Sequence, residues 1–136
     1  MYSRILVPVD LDNADNLEKA LDLAGQTAMA NNAEVVYVVD AVPTMSARTE
    51  GDRMAERLKV FVANQAEKYG VQTTAHVALR SDLHLNVGSD LIDAAKAAEC
   101  DLIVMASHMP SFKDHILSSN AGYVASHAPM TVYVVR

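Results

Sequence analysis

The sequence is short of cysteine, basic charge and long apolar runs, and each shortage closes off a class of protein. One cysteine in 136 residues, Cys100, leaves no internal disulfide, so the fold has to be held by a buried core. Cys100 reads as a small buried residue just ahead of a strand. No apolar run approaches the ~20 residues that span a bilayer, so membrane insertion is not expected. The first residues, MYSRILVPVD, lack the zones of a signal peptide, which makes the cytoplasm the expected location. Lys and Arg number 11 against 17 Asp and Glu, giving a net charge of −6. The basic residues are scattered, whereas a nucleic-acid surface needs them clustered on one face. His76, His84, His108, His115 and His127 lack the close helical pairing of metal ligands, so no metal site is expected.

What is present is an ordinary globular composition, 51% hydrophobic and 21% charged, enough for one core and one domain over residues 1–136. The hydrophobic period switches repeatedly between that of a strand and that of a helix. Ile5, Leu6, Val7 and Val9 form a first strand with Asp10 at its carboxyl end. Leu17, Ala20, Leu21, Ala24 and Ala28 follow at helical spacing, with Asp15 and Glu18 suited to the first turn. Glu34 to Val39 is a second strand, and a loop through Pro43, Thr44 and Ser46 leads to a helix carrying Met54, Leu58, Phe61, Val62 and Gln65. Gly70 suits the carboxyl cap of that helix. Val71 to Leu79 alternates, with Gln72, Thr74 and His76 polar on one face, which predicts an edge strand. A loop over Arg80 to Asn86 precedes a third helix containing Leu91, Ile92, Ala95 and Ala98. Five strands alternating with four helices predict a doubly wound α/β domain, a parallel sheet covered on both faces. Ligands of such sheets sit at the carboxyl ends of the strands, where the winding reverses.

The last third, DLIVMASHMPSFKDHILSSNAGYVASHAPMTVYVVR, supplies a buried strand at Leu102 to Met105, a polar loop, a short helix and a closing strand. Ser118 and Ser119 fall where the helix begins; one of them would serve as its cap. The free N–H groups of a helix start make the loop a candidate anion site. This stretch resembles the universal stress protein family, whose pattern is Gly-x-x-Gly, roughly nine residues, then Gly-Ser/Thr. RILVPVD at Arg4 to Asp10 is similar to the family's first strand, and the resemblance runs over the whole chain. It implies strand order 3-2-1-4-5, which makes the first and fourth strands neighbours. It also implies an adenine nucleotide, ATP or a relative, with magnesium. Pro8, Val9 and Asp10 would lie at the adenosine, with Asp10 accepting from ribose hydroxyls and Val39 offering backbone groups to the base. Ala106, Ser107, His108, Met109, Ser118, Ser119 and Asn120 would meet the phosphates.

Three of these positions depart from the family pattern. Ala106, Met109 and Ser118 stand where ATP-binding members carry glycine, and the ASHMP form of Ala106 to Pro110 resembles a subgroup in which the first two glycines are replaced. Glycine lets a backbone N–H approach an anion without a Cβ. Met109 is further restricted by the proline after it. The expected site is therefore a weakened one, with Ser107, Ser111, Ser118 and Ser119 as hydroxyl donors and Lys113 and His115 as sources of positive charge.

No catalytic set is evident, so slow ATP hydrolysis is the most enzymatic activity expected. A receiver domain would need an aspartate ending its middle strand and a lysine ending its last, and a flavodoxin needs a phosphate loop directly after strand one; DLDNADN is not that loop. The closing strand, MTVYVVR, has strong β propensity and no internal charge or proline, and a terminal strand leaves backbone groups unpaired. Antiparallel pairing of Val132, Tyr133, Val134 and Val135 about a two-fold axis is expected to make a homodimer, as the resemblance also implies. The alternative to a nucleotide-binding signalling module is a dimeric scaffold that works through contacts with an unidentified protein partner.

Overall fold

A computed structural model describes residues 1–41, 47–79, 87–108 and 120–136. Strands β1 (Arg4–Pro8), β2 (Glu34–Ala41), β3 (Thr73–Leu79), β4 (Leu102–Ala106) and β5 (Thr131–Val135) form one sheet in the order β3-β2-β1-β4-β5. Every pairing is parallel. Helices α1 (Glu18–Asn31) and α2 (Ala47–Tyr69) pack together on one face, and α3 (Val87–Ala97) and α4 (Asn120–His127) on the other. That division follows from right-handed crossovers that run one way from β1 to β3 and the opposite way from β3 to β5. The chain is thus the expected doubly wound domain, with β3 on one edge. The loops expected through Pro43 and over Arg80 to Asn86 lie outside the described residues.

β1 and β4 are apolar on both sides because helices cover both faces of the sheet. Ile5, Leu6, Leu102, Ile103 and Met105 are fully buried, joined from the helices by Leu17, Leu58 and Leu91. The helix ends use backbone in the left-handed region. Asn32 has φ 53° and donates its N–H to the carbonyls of Ala28 and Met29; Gly70 has φ +64° and donates to Ala66 at 2.8 Å. Strand limits differ slightly from expectation. The third strand starts at Thr73 instead of Val71, and the second continues past Val39 to Ala41. The lead into the first helix differs more. Leu11–Leu17 is a 3-10 segment interrupted at Asn13, whose φ −132° and ψ 38° are not helical, and the α-helix begins only at Glu18.

Polar contacts bind the amino ends of the strands. The Arg4 guanidinium donates to Glu34 at 3.1 Å and to the Ala98 carbonyl at 2.7 Å. The Thr74 hydroxyl also donates to Glu34, so β1, β2 and β3 are linked in one row. Asp101 accepts from the Ser3 amide at 2.9 Å, the Ser3 hydroxyl at 3.0 Å and the Arg4 amide at 3.1 Å. Hydrogen bonds from Thr74 and Arg4 hold the Glu34 carboxyl below its ordinary 4.5. For Asp101, burial pushes upward, but the bonds from Ser3 and Arg4 outweigh it and the net shift is down from 3.8.

Both acids are therefore easier to protonate in the unfolded chain than in the folded one. Their contribution is complete above about pH 4.5 and is lost as pH falls through the depressed folded values. Thermal melts between pH 5 and pH 2.5 should show a falling Tm, with a shallower fall in the Glu34→Gln, Asp101→Asn double variant. Equal slopes would show that these two acids do not govern the acid limb.

Candidate functional site

The site is built at the carboxyl ends of β1, β2 and β4. β1 lies between β2 and β4, and the connections leave in opposite directions there, which makes it the switch point at which open α/β sheets take ligands. Pro8 pairs with Val38, and the Val9 amide continues the ladder with a 2.8 Å bond to the Val38 carbonyl. Leu6 pairs with Ile103, and carrying that register forward sets Val9 level with Ala106 and Asp10 level with Ser107. Pro8, Val9, Asp10, Val39, Ala106, Ser107 and His108 are thereby brought to one end of the sheet. Asn120 opens α4 at the same end, since α4 returns the chain from β4 to β5. Met109, Ser118 and Ser119 lie outside the described residues, as do Ser111, Lys113 and His115.

Asp10 is the distinctive group. It is 2% exposed, the sole charged side chain in the buried class among the described residues. A buried carboxylate is costly unless hydrogen-bonded. Here the Asn13 side-chain amide donates to both carboxylate oxygens, at 3.2 and 3.1 Å, and the Asn13 backbone amide donates to the Asp10 carbonyl at 3.0 Å. An ionised carboxylate accepts through about four lone-pair positions, so Asp10 can take several donors at once. Asn13 is the residue that sequence reading passed over. The available signal was an Asn placed three residues after an Asp, a spacing suited to local side-chain bonding.

The β4 side of this strand end offers fewer groups. The Ser107 amide donates to the Val135 carbonyl at 2.8 Å, so it extends the β4–β5 ladder and is spent as an anion donor. Ser107, half-buried, would contribute through its hydroxyl, and exposed His108 through its ring.

Other features have the wrong chemistry. A cleft of about 520 Å³ lies at the opposite end of the sheet, between Ala28, Met29, Asn32, Tyr69 and Gln72. It is bounded by the carboxyl ends of α1 and α2, whose partial negative charge repels phosphate. Burial pushes the Cys100 thiol up to about 11, so it is protonated at neutral pH and no nucleophile. Among the described residues no group of three or more His, Cys, Asp and Glu is placed to hold a metal ion. No helix among them is long and apolar enough to cross a membrane.

At the other margin of the sheet, β5 pairs only with β4 among the described residues. Val134 is 41% exposed, and Val132, Tyr133 and Val135 are half-buried. The Tyr133 ring meets Tyr2 edge-on at 6.1 Å between centroids.

A five-stranded parallel sheet in the order β3-β2-β1-β4-β5, covered by helices on both faces, defines a doubly wound α/β protein with a buried acid at its switch point. The family model described as the universal stress protein family matches residues 1–136, and the chain belongs to that family. It is 29% identical over 145 residues to universal stress protein G of Escherichia coli O157:H7, covering 100% of both chains. It is 28% identical to a universal stress protein of Methanothermobacter thermautotrophicus, covering 100% of this chain and 97% of the other. Among solved structures, the universal stress protein of Archaeoglobus fulgidus superposes with a TM-score of 0.76 at 23% identity, over 100% of this chain and 95% of that one. A structure of the Archaeoglobus fulgidus protein in complex with dAMP matches with a TM-score of 0.73 at 22% identity, over 99% and 98% of the chains. A universal stress protein in complex with cAMP matches with a TM-score of 0.71 at 20% identity, over 99% and 97%.

Proposed function

We propose that the protein is a cytoplasmic stress-response module that binds an adenine nucleotide weakly at the carboxyl ends of β1 and β4, and signals through its occupancy. The observation that carries this reading is buried Asp10 at the switch point, held by Asn13. A carboxylate is an acceptor suited to a sugar hydroxyl. Val39 would meet the base through its backbone, with Pro8 and Val9 packing beside the nucleoside. Ser107, His108 and Asn120 would face the phosphates, joined by Met109, Ser118 and Ser119. The spent Ser107 amide and the loss of glycine at Ala106, Met109 and Ser118 argue for low phosphate affinity. Relatives crystallised with cAMP and dAMP support a nucleoside monophosphate as readily as ATP. When ATP is bound, magnesium accompanies it and offsets phosphate charge. Among the described residues no side chain is set as a nucleophile beside a base, and slow hydrolysis is the most turnover this reading carries.

The test is ligand-dependent stability. A ligand bound only by the folded state raises the unfolding free energy by about 2.7 kcal/mol at a hundred times its Kd. Tm should therefore climb with ATP or AMP and not with equal concentrations of inorganic phosphate. A Tm indifferent to both nucleotides up to millimolar concentration would overturn the reading in favour of the nucleotide-independent scaffold.

Assembly belongs to the same proposal. β5 ends the sheet with a half-exposed apolar row, and antiparallel pairing with a second copy would satisfy its outer backbone groups. Val134→Lys places two ammonium groups near the two-fold axis. It should convert a dimer to a monomer by sedimentation while leaving the circular dichroism spectrum intact. An unchanged sedimentation coefficient in the folded variant would exclude β5 as the interface.

A further inference from the structure

We infer that a buried water joins Tyr37 of β2 to Gln65 of α2, a hydration site built into the contact between that strand and that helix. Each residue is a polar tip at a position that packing alone would fill with an apolar side chain. Tyr37 lies in the middle of β2, between Val36 and Val38, and is 0% exposed. Gln65 continues the inward stripe of α2 one turn after Phe61, on the face that carries buried Leu58 and Val62. The Tyr37 hydroxyl and Gln65 Oε1 are both buried, and neither has a hydrogen-bond partner in the protein. Buried polar atoms are costly in that condition, and an ordered water is the usual partner where protein groups supply none.

Tyr37 addresses the part of α2 that carries Gln65. Its ring meets the Phe61 ring edge-on, with 5.7 Å between centroids. Burial chiefly, and Tyr69 to a lesser degree, push the Tyr37 hydroxyl up and keep it protonated, so Tyr37 lies near Tyr69 as well. Gln65 stands midway between Phe61 and Tyr69, at the i+4 spacing that sets the three side chains one above another. One water fits this pair: it accepts from the Tyr37 hydroxyl and donates to Gln65 Oε1. Its way in is at hand. Gln65 and Phe61 line a cleft of about 330 Å³ between the start of α1 and the second half of α2, with Asp15, Glu18, Leu21 and Lys68 around it. The bridge fixes the height of α2 on the sheet, because a hydrogen bond is directional and the apolar contact at Phe61 is not.

A double-mutant cycle and a crystal structure test the site together. Tyr37→Phe and Gln65→Met nearly preserve volume and length, so both variants should fold. In urea, Tyr37→Phe should lower the folding constant about three- to tenfold, because a satisfied hydroxyl is lost. A hydroxyl without a partner would give the opposite sign, since its removal relieves a buried polar group. Gln65→Met should cost a similar factor, and in its background Tyr37→Phe should be close to neutral, because both changes break the same bridge. A crystal structure of the wild type should show one ordered water within hydrogen-bond distance, about 2.7–3.2 Å, of both atoms. A Tyr37→Phe protein at least as stable as wild type, losses that simply multiply in the double variant, or a direct Tyr37–Gln65 bond in the crystal would each overturn the inference.

Discussion

Gly25→Ala is expected to destabilise the protein by roughly 1–3 kcal/mol, a fall in Tm on the order of 5–10 °C. The direction opposes helix propensity, which favours alanine over glycine in a helix interior by about 1 kcal/mol. Geometry decides against propensity. A Cβ on Gly25 would stand 2.5 to 2.6 Å from three atoms of the Tyr69 ring, far inside van der Waals contact. The ring has little freedom to retreat. Tyr69 is 8% exposed, and its hydroxyl donates to Asp22 at 2.9 Å, one turn earlier on α1. Gly25 is therefore the notch through which the last turn of α2 docks on α1. Urea denaturation of Gly25→Ala, Tyr69→Leu and the double variant measures the coupling. The double variant should lose less than the sum of the singles, and strict additivity would contradict the notch.

Asp10→Ala is the second large effect, and it falls on binding. Each hydrogen bond to a charged partner contributes about 1.5–3 kcal/mol, so removing the carboxylate should cost an adenine nucleotide about ten- to a hundredfold in affinity. Asp10→Asn should fall between, because an amide oxygen still accepts. Stability should move little. The variant forfeits the bonds to Asn13 but is relieved of a buried charge, and these effects oppose each other. A folded Asp10→Ala protein that binds as wild type does would remove Asp10 from the site.

Element type and order were legible because the hydrophobic period is clear. Val35 to Val39 and Leu102 to Met105 are too short and too β-branched to be helices, while Leu17, Leu21, Ala24 and Ala28 recur at helical spacing. Strand order was not available from periodicity, since every buried parallel strand reads alike. It came from the family resemblance, and the sheet carries that order. The 3-10 segment escaped notice because its polar residues, Asp12, Asn13, Asp15 and Asn16, resemble the lead-in of an ordinary helix. Gly25 and Tyr69 are distant in sequence, so their docking carries no local signal. At the site, Asp10 stood out as an acid directly after an apolar strand, whereas the commitment of the Ser107 amide to Val135 depends on pairing between two strands.

The most direct test of the nucleotide site is a calorimetric titration of purified, nucleotide-stripped protein with ATP and then AMP, in magnesium at physiological salt. Saturable heat with wild type that disappears in Asp10→Ala is the result predicted. No heat from either nucleotide up to millimolar concentration would contradict it and leave a family member that acts through protein contacts alone.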